Sequence, residues 1–157
     1  MPQITPSLLF ATESRAAAEF YVSIFPNSSI TNVSYYSEAG PMPVGTVLSV
    51  EFQLDSQDYS AINSGATFEF NESISFRINC ESQDDVDYYW QRLGEGGEES
   101  QCGWLSDRFG VRWQIVPIEM IRFLNDPDPA RAQRAMAAML RMRKLDLAVL
   151  RAAADQA

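Results

Sequence analysis

The sequence predicts an α+β protein built from two βαβββ modules and a C-terminal helical tail, and three observations lead there. The order strand, helix, several strands occurs twice, the second time starting near Ser73. The strand-like runs alternate with period two, whereas the helical runs place apolar residues three and four apart. From Ile118 onward the chain carries helix-starting signals and alanine- and methionine-rich faces. These divide the chain into modules at residues 1–72 and 73–117 and a tail at 118–157.

In the first module, residues 4–11 read as a short apolar strand, and Thr12 or Ser14 can cap the helix that follows. Ala17, Phe20, Tyr21, Ile24 and Phe25 form one buried stripe of that helix, which Pro26-Asn27 stops. Strand-like runs follow at 29–36, 46–54 and 59–63. The middle run sets Leu48, Val50, Phe52 and Leu54 on one face and Val47, Ser49, Glu51 and Gln53 on the other.

In the second module, Ile74, Phe76, Ile78 and Cys80 alternate with Ser75, Arg77 and Asn79, a strand with one apolar face. Ser82 followed by Asp85 reads as a capping box opening a helix with the stripe Val86, Tyr89, Trp90 and Leu93. Gly94, Gly96 and Gly97 end it. Residues 98–105 and 111–116 then read as strands around a tight turn at 107–110.

In the tail, Pro117 precedes a short helix, and Asp128-Pro129 supplies the N-cap and first position of a longer one. Ala132, Met136, Met139 and Leu140 are its expected buried stripe. A last helical segment at 145–154 carries Leu147 and Leu150. These stripes are expected to pack on the domain or on a second subunit.

The formal net charge is −9, which argues against a nucleic-acid partner because phosphate affinity comes from clustered Lys and Arg. Sixteen acidic and four basic residues precede Val111, whereas two acidic and six basic residues follow Asp128. That asymmetry points to the tail docking on acidic surface. No export signal and no apolar run of membrane-spanning length is visible, so no membrane partner is expected. Cys80 and Cys102 then read as free thiols in a reducing cytoplasm. Histidine is absent altogether, which removes the commonest neutral-pH base and the commonest transition-metal ligand.

The run CGWLSDRFGVRWQIVP at 102–117 resembles the C-terminal signature of the PhnB-like branch of the vicinal oxygen chelate superfamily. The similarity extends to ITPSLLF at 4–10, FYVSIFPN at 20–27, SISFRINC at 73–80 and DPDP at 126–129. That branch often carries the name 3-demethylubiquinone-9 3-methyltransferase. The resemblance implies paired βαβββ modules forming a curled sheet around a small-molecule cavity, an architecture shared by glyoxalases, extradiol dioxygenases and fosfomycin- and bleomycin-resistance proteins. Such a fold leaves the function open. In metal-using relatives, four strands supply His, Glu or Gln ligands, and the matching positions here are Pro6, Asn63, Ser73 and Gln114. Proline has no side-chain donor and the other three are weak neutral ligands, so no metal and no cofactor are expected.

The expected ligand-facing residues are Glu51, Asn63, Ser73, Ser75, Arg77, Cys102, Trp104 and Gln114. Strand alternation from Ser73 puts Ser75 and Arg77 on its side, where Arg77 can hold an anion through its fork or pair with a carboxylate such as Glu51. Glu51, on the polar face of an apolar strand, is a candidate acid or base as well as a salt-bridge partner. Cys102 lacks an adjacent cation that would activate its thiol. Trp104 offers either a stacking surface or core packing. The acidic cluster Asp84, Asp85 and Asp87 reads as helix N-terminal charge complementing the dipole.

The expected function is metal-independent binding of a small molecule by a cytoplasmic homodimer held in part by the tail. The alternatives are an enzyme using cavity acid–base residues, and the methyltransferase of the family name. S-adenosylmethionine chemistry ordinarily comes with a strand, a glycine-rich turn and a helix opening from it. The densest glycine run, Gly94 to Gly97, instead ends a helix.

Overall fold

The computed structural model describes residues 2–156. The chain divides into two compact units, one up to Glu69 and one from Phe70 onward.

The first unit runs β1 (Ser7–Phe10), α1 (Ser14–Val22), β2 (Ser29–Tyr35), β3 (Val47–Leu54), β4 (Gln57–Asn63). Its sheet has the order β1-β4-β3-β2, with β1 parallel to β4 and the other pairs antiparallel. The alternation of β3 turns Val50, Phe52 and Leu54 into the core, where Ala17, Ala18 and Tyr21 of α1 are also buried. Phe52 stacks between Tyr21 and Tyr59 at ring distances of 6.2 and 5.5 Å. Burying such a side chain contributes about 1.5–3 kcal/mol. The β3–β4 hairpin turns on Asp55 and Ser56, both left-handed at φ 45° and 69°, the hand that matches strand twist.

Helix α1 starts differently from the expectation. Its N-cap is Glu13, which makes no side-chain capping bond. The Ser14 N–H instead donates to Asn63 Oδ1, 49 residues away, at 2.9 Å. Asn63 Nδ2 donates to the Val47 carbonyl at 3.1 Å, and its own carbonyl accepts from the Tyr36 hydroxyl. One buried amide at the end of β4 thus satisfies a helix start and a strand end together.

The second unit repeats the order with β5 (Phe76–Cys80), α2 (Gln83–Gly94), β6 (Glu98–Glu99), β7 (Trp104–Ser106), β8 (Arg112–Pro117), in the sheet order β5-β8-β7-β6. The capping box forms as read: Ser82 Oγ accepts from the Asp85 N–H at 3.1 Å and Asp85 accepts from the Ser82 N–H at 3.2 Å. Val86, Trp90 and Leu93 are buried, and α2 packs on β7 and β8.

Two strand assignments need correcting. Residues 73–75 lie outside β5: the Ser73 N–H closes on Asn71 Oδ1 at 2.9 Å, and Ile74 is 76% exposed. An Asn side chain competing for backbone wins there over the apolar alternation. The run at 98–105 is two short strands, interrupted where Cys102 and Gly103 are left-handed at φ 57° and 82°. A Cβ at Gly103 would sit 2.7 Å from the Ile115 carbonyl oxygen, so this turn needs glycine for space as well as for backbone hand.

The turn before β8 is organised by Asp107, which is 3% exposed. Its Oδ1 accepts from the N–H groups of Phe109 and Val111 at 2.8 and 3.1 Å, and its Oδ2 from Trp113 Nε1 at 2.9 Å.

The tail forms α3 (Ile118–Leu124), α4 (Pro129–Met139) and α5 (Leu147–Asp155). Val116, Met120, Leu145, Leu147 and Leu150 make its buried core, flanked by Ala138, Met139 and Met142. The expected α4 stripe is rotated. Ala135 is fully buried, while Met136 and Leu140 are 46% and 59% exposed. Close approach of α5 favours the small side chain at the contact over the large ones.

The tail is fastened to its own unit. Gln83 donates to the Leu145 carbonyl and accepts from the Leu147 N–H, Lys144 pairs with Asp87 at 2.7 Å, and the N–H groups of Cys102 and Gly103 donate to Met142 and Arg143. Arg131 bridges Asp126 and Asp155, and Arg151 grips Glu119. Among the described residues, no helix is long and apolar enough to cross a membrane.

Candidate functional site

The second sheet has a covered face and an open one. Trp113 and Ile115 of β8 are buried with Leu105 of β7. Their neighbours in the alternation stand on the other face, in two cross-strand rows. Gln114 lies opposite Arg77 of β5 and Trp104 of β7. Arg112 lies opposite Ser106, which in turn lies opposite Glu98 of β6.

A cleft of about 270 Å³ opens along the second row, lined by Glu72, Glu98, Glu99, Ser100, Trp104, Leu105, Ser106 and Arg112. Arg112 donates from Nε to Glu72 Oε1 at 3.1 Å and from Nη1 to the Gly110 carbonyl at 2.6 Å. The Glu72 carboxyl is held below its ordinary range, first by its own backbone N–H and then by Arg112. Glu99 Oε1 accepts from Trp90 Nε1 at 2.9 Å, which ties the floor of the edge strand to α2.

Four of the sequence-expected residues fall together and the other four fall apart. Ser75, Arg77, Trp104 and Gln114 share the open face of the second sheet. There Gln114 Nε2 donates to Ser75 Oγ at 2.8 Å, Arg77 is exposed, and Trp104 lines the cleft. Glu51 belongs to the first unit, where it accepts from Ser60 Oγ at 2.9 Å. Asn63 is turned into the first unit's core as the α1 cap, Ser73 sits in an exposed turn, and Cys102 Sγ lies 3.6 Å from the Met139 carbonyl under the tail.

Glu72, Glu98, Ser106 and Arg112 were not singled out by sequence. The alternation that turns Gln114 onto the open face also turns Arg112 there, so one of the four was within reach. Glu98 and Ser106 were not, because the break at Cys102-Gly103 resets the pairing of the edge strand.

The four positions matching the superfamily's metal ligands do not fit a divalent ion. Asn63 has both ends of its amide engaged, Gln114 is bonded to Ser75, Ser73 is in a surface turn and Pro6 has no donor. Among the described residues, no group of three or more His, Cys, Asp or Glu could hold a metal.

The family described as 3-demethylubiquinone-9 3-methyltransferase matches residues 2–116. The PhnB protein of Bacillus cereus, which carries the same methyltransferase description, has 31% identity over 74% of this chain and 99% of its own, with a TM-score of 0.68. A Pseudomonas aeruginosa protein has 21% identity over 73% of this chain and 96% of its own, with a TM-score of 0.61. The fosfomycin resistance protein FosX of Listeria monocytogenes has 13% identity over 76% and 96%, with a TM-score of 0.50, a likeness of fold alone. No protein with a curated description matches the chain. The double βαβββ order, the match over residues 2–116 and the Bacillus relative together place the chain in the 3-demethylubiquinone-9 3-methyltransferase family, the PhnB-like branch of the vicinal oxygen chelate fold.

Proposed function

We propose that this chain is a metal-independent binding protein for a small organic molecule, which it holds on the open face of its second sheet. The observation that carries the proposal is the cleft beside the Arg77–Gln114–Trp104 row, where an aromatic wall, hydroxyls and charged groups converge on one face. The donor set at the metal-equivalent positions supports a mechanism by capture rather than by Lewis-acid activation. An acid–base enzyme is the second reading, resting on the part-buried Glu51–Ser60 pair.

The methyltransferase activity in the family's name is not part of the proposal. In the glycine run at 94–97, Gly97 is required by packing, since a Cβ there would lie 2.0 Å from the Ser106 carbonyl oxygen. The free thiols Cys80 and Cys102 support a cytoplasmic setting. A homodimer is also proposed, with Met136, Leu140 and Val149 of the tail as the surface to be covered. Light scattering on Leu140→Glu tests it: a dimer that becomes monomeric supports the contact, and a native chain that is already monomeric at tens of micromolar removes it.

Incubation with a metabolite extract, followed by native mass spectrometry and elemental analysis, tests the function. The expected result is a retained small molecule that is lost in Trp104→Ala, with no stoichiometric metal. One equivalent of a divalent metal per chain overturns the reading, and so does an unchanged ligand load in a folded Trp104→Ala.

A further inference from the structure

Building on the proposed binding role, we infer that the cleft selects an organic cation, an ammonium group carried on a flat and largely apolar body. The charge count is taken over the residues that line the cleft, which do not include Arg77 on the neighbouring row. Of the charged groups lining the cleft, Arg112 is neutralised by Glu72, its nearest carboxylate, and is further committed to the Gly110 carbonyl. Glu99, next along β6, pairs opposite Leu105 and alternates to the other face, where it accepts from the indole N–H of Trp90 on α2, so it adds nothing to the count. Glu98 has no side-chain partner among the described residues, and its register opposite Ser106 sets it on the face of Arg112 and the cleft. The cleft therefore carries uncompensated negative charge.

The rest of the lining fits the other half of such a ligand. Trp104 is half-buried on the open face, so one side of the cleft is aromatic. A cation next to an indole gains from the ring quadrupole, and the flat body it is attached to covers the ring. The Ser100 and Ser106 hydroxyls can accept from the remaining ammonium hydrogens. An anionic ligand would have to displace Glu72 from Arg112 while facing Glu98. A neutral one would leave the Glu98 charge to be desolvated without compensation.

The test uses the full chain and three indole probes that differ in charge: tryptamine, N-acetyltryptamine and indole-3-acetate. Affinities are measured by calorimetry at low and at 0.5 M salt. The expected order is tryptamine first, weaker at high salt, with its affinity reduced about tenfold or more in Glu98→Gln. N-acetyltryptamine should be unaffected by that change. Both variants used here, Glu98→Gln and Trp104→Ala, are checked for folding by thermal melts. Equal binding of the three probes, tighter binding of indole-3-acetate, no tryptamine binding at millimolar concentration, or an unchanged affinity in Glu98→Gln overturns the inference. If N-acetyltryptamine or indole-3-acetate binds at least as tightly as tryptamine and is lost in Trp104→Ala, the charge preference falls while the binding role stands.

Discussion

The two modules share one topology but reach closure by different means. The first relies on length: β2, β3 and β4 have 7, 8 and 7 residues, and a single stack of Tyr21, Phe52 and Tyr59 joins helix to sheet. The second has strands of 5, 2, 3 and 6 residues, too short for a ladder of that kind. It makes up the deficit with side-chain hubs and with three added helices. Its first helix is capped by its own Ser82–Asp85 box, whereas α1 borrows Asn63 from the far end of β4. A topology can therefore be kept while the source of its stability moves, and the module with the weaker ladder is the one that carries the cleft.

The largest test of that contrast is Asp107→Ala. Three N–H donors, two backbone and one indole, lose a buried carboxylate, and the cost should be about 3–5 kcal/mol in urea unfolding. A loss below about 1 kcal/mol would mean that the short strands close the second module unaided.

A pair of cap mutants sharpens the comparison further. Asn63→Ala should cost about 2–3 kcal/mol, because a buried helix N–H and the Val47 carbonyl both lose a partner. Ser82→Ala, at an exposed cap, should cost about 1 kcal/mol. Equal effects would show that the borrowed cap of α1 is no more than an ordinary one.

Cys80 gives the second module a pH dependence of its own. Burial, and then the nearby Asp85 charge, push its thiol up to about 12 from 9.0. The raised value means that the folded state holds this proton more tightly than the unfolded chain. Its contribution to stability is therefore complete below about pH 9 and is lost as pH rises toward about 12. Denaturant midpoints at pH 8 and pH 10.5 should differ less in Cys80→Ala than in the native chain.

The smallest expected effect lies in the first module. Ser14 Oγ is buried without a hydrogen-bond partner. Ser14→Ala should leave stability unchanged or raise it by up to about 1 kcal/mol, since a desolvated hydroxyl is removed and its backbone N–H still reaches Asn63. A clear destabilisation in the same unfolding assay would assign that hydroxyl a role.

The order of elements was legible because each long element carries its own period: β3 alternates, α2 has its capping box, and Asp128-Pro129 opens α4. What escaped depends on distant partners. Nothing near Asn63 says that it will meet Ser14, and nothing in α4 says that Ala135 will be pressed against α5 while Met136 stays outside. The Cys102-Gly103 break is intermediate. Its glycine was visible, but the left-handed cysteine beside it is held by the Met142 carbonyl of a segment forty residues later. In the site, Ser75 and Arg77 were read from alternation, Gln114 from the superfamily resemblance and Trp104 as an aromatic of the signature run, whereas the Glu98–Ser106–Arg112 row needed the register of two strands too short to announce themselves.

The fastening of the tail also orders events during synthesis. Every contact within the first module is available once Glu69 has emerged, but Gln83, Cys102 and Gly103 must wait for residues 142–147, and the tail core waits for Leu150. At about 5–20 residues per second, the 81 residues from Glu69 to Leu150 take roughly 4–16 s. For that interval the nascent chain carries one finished module and one whose apolar end is still bare.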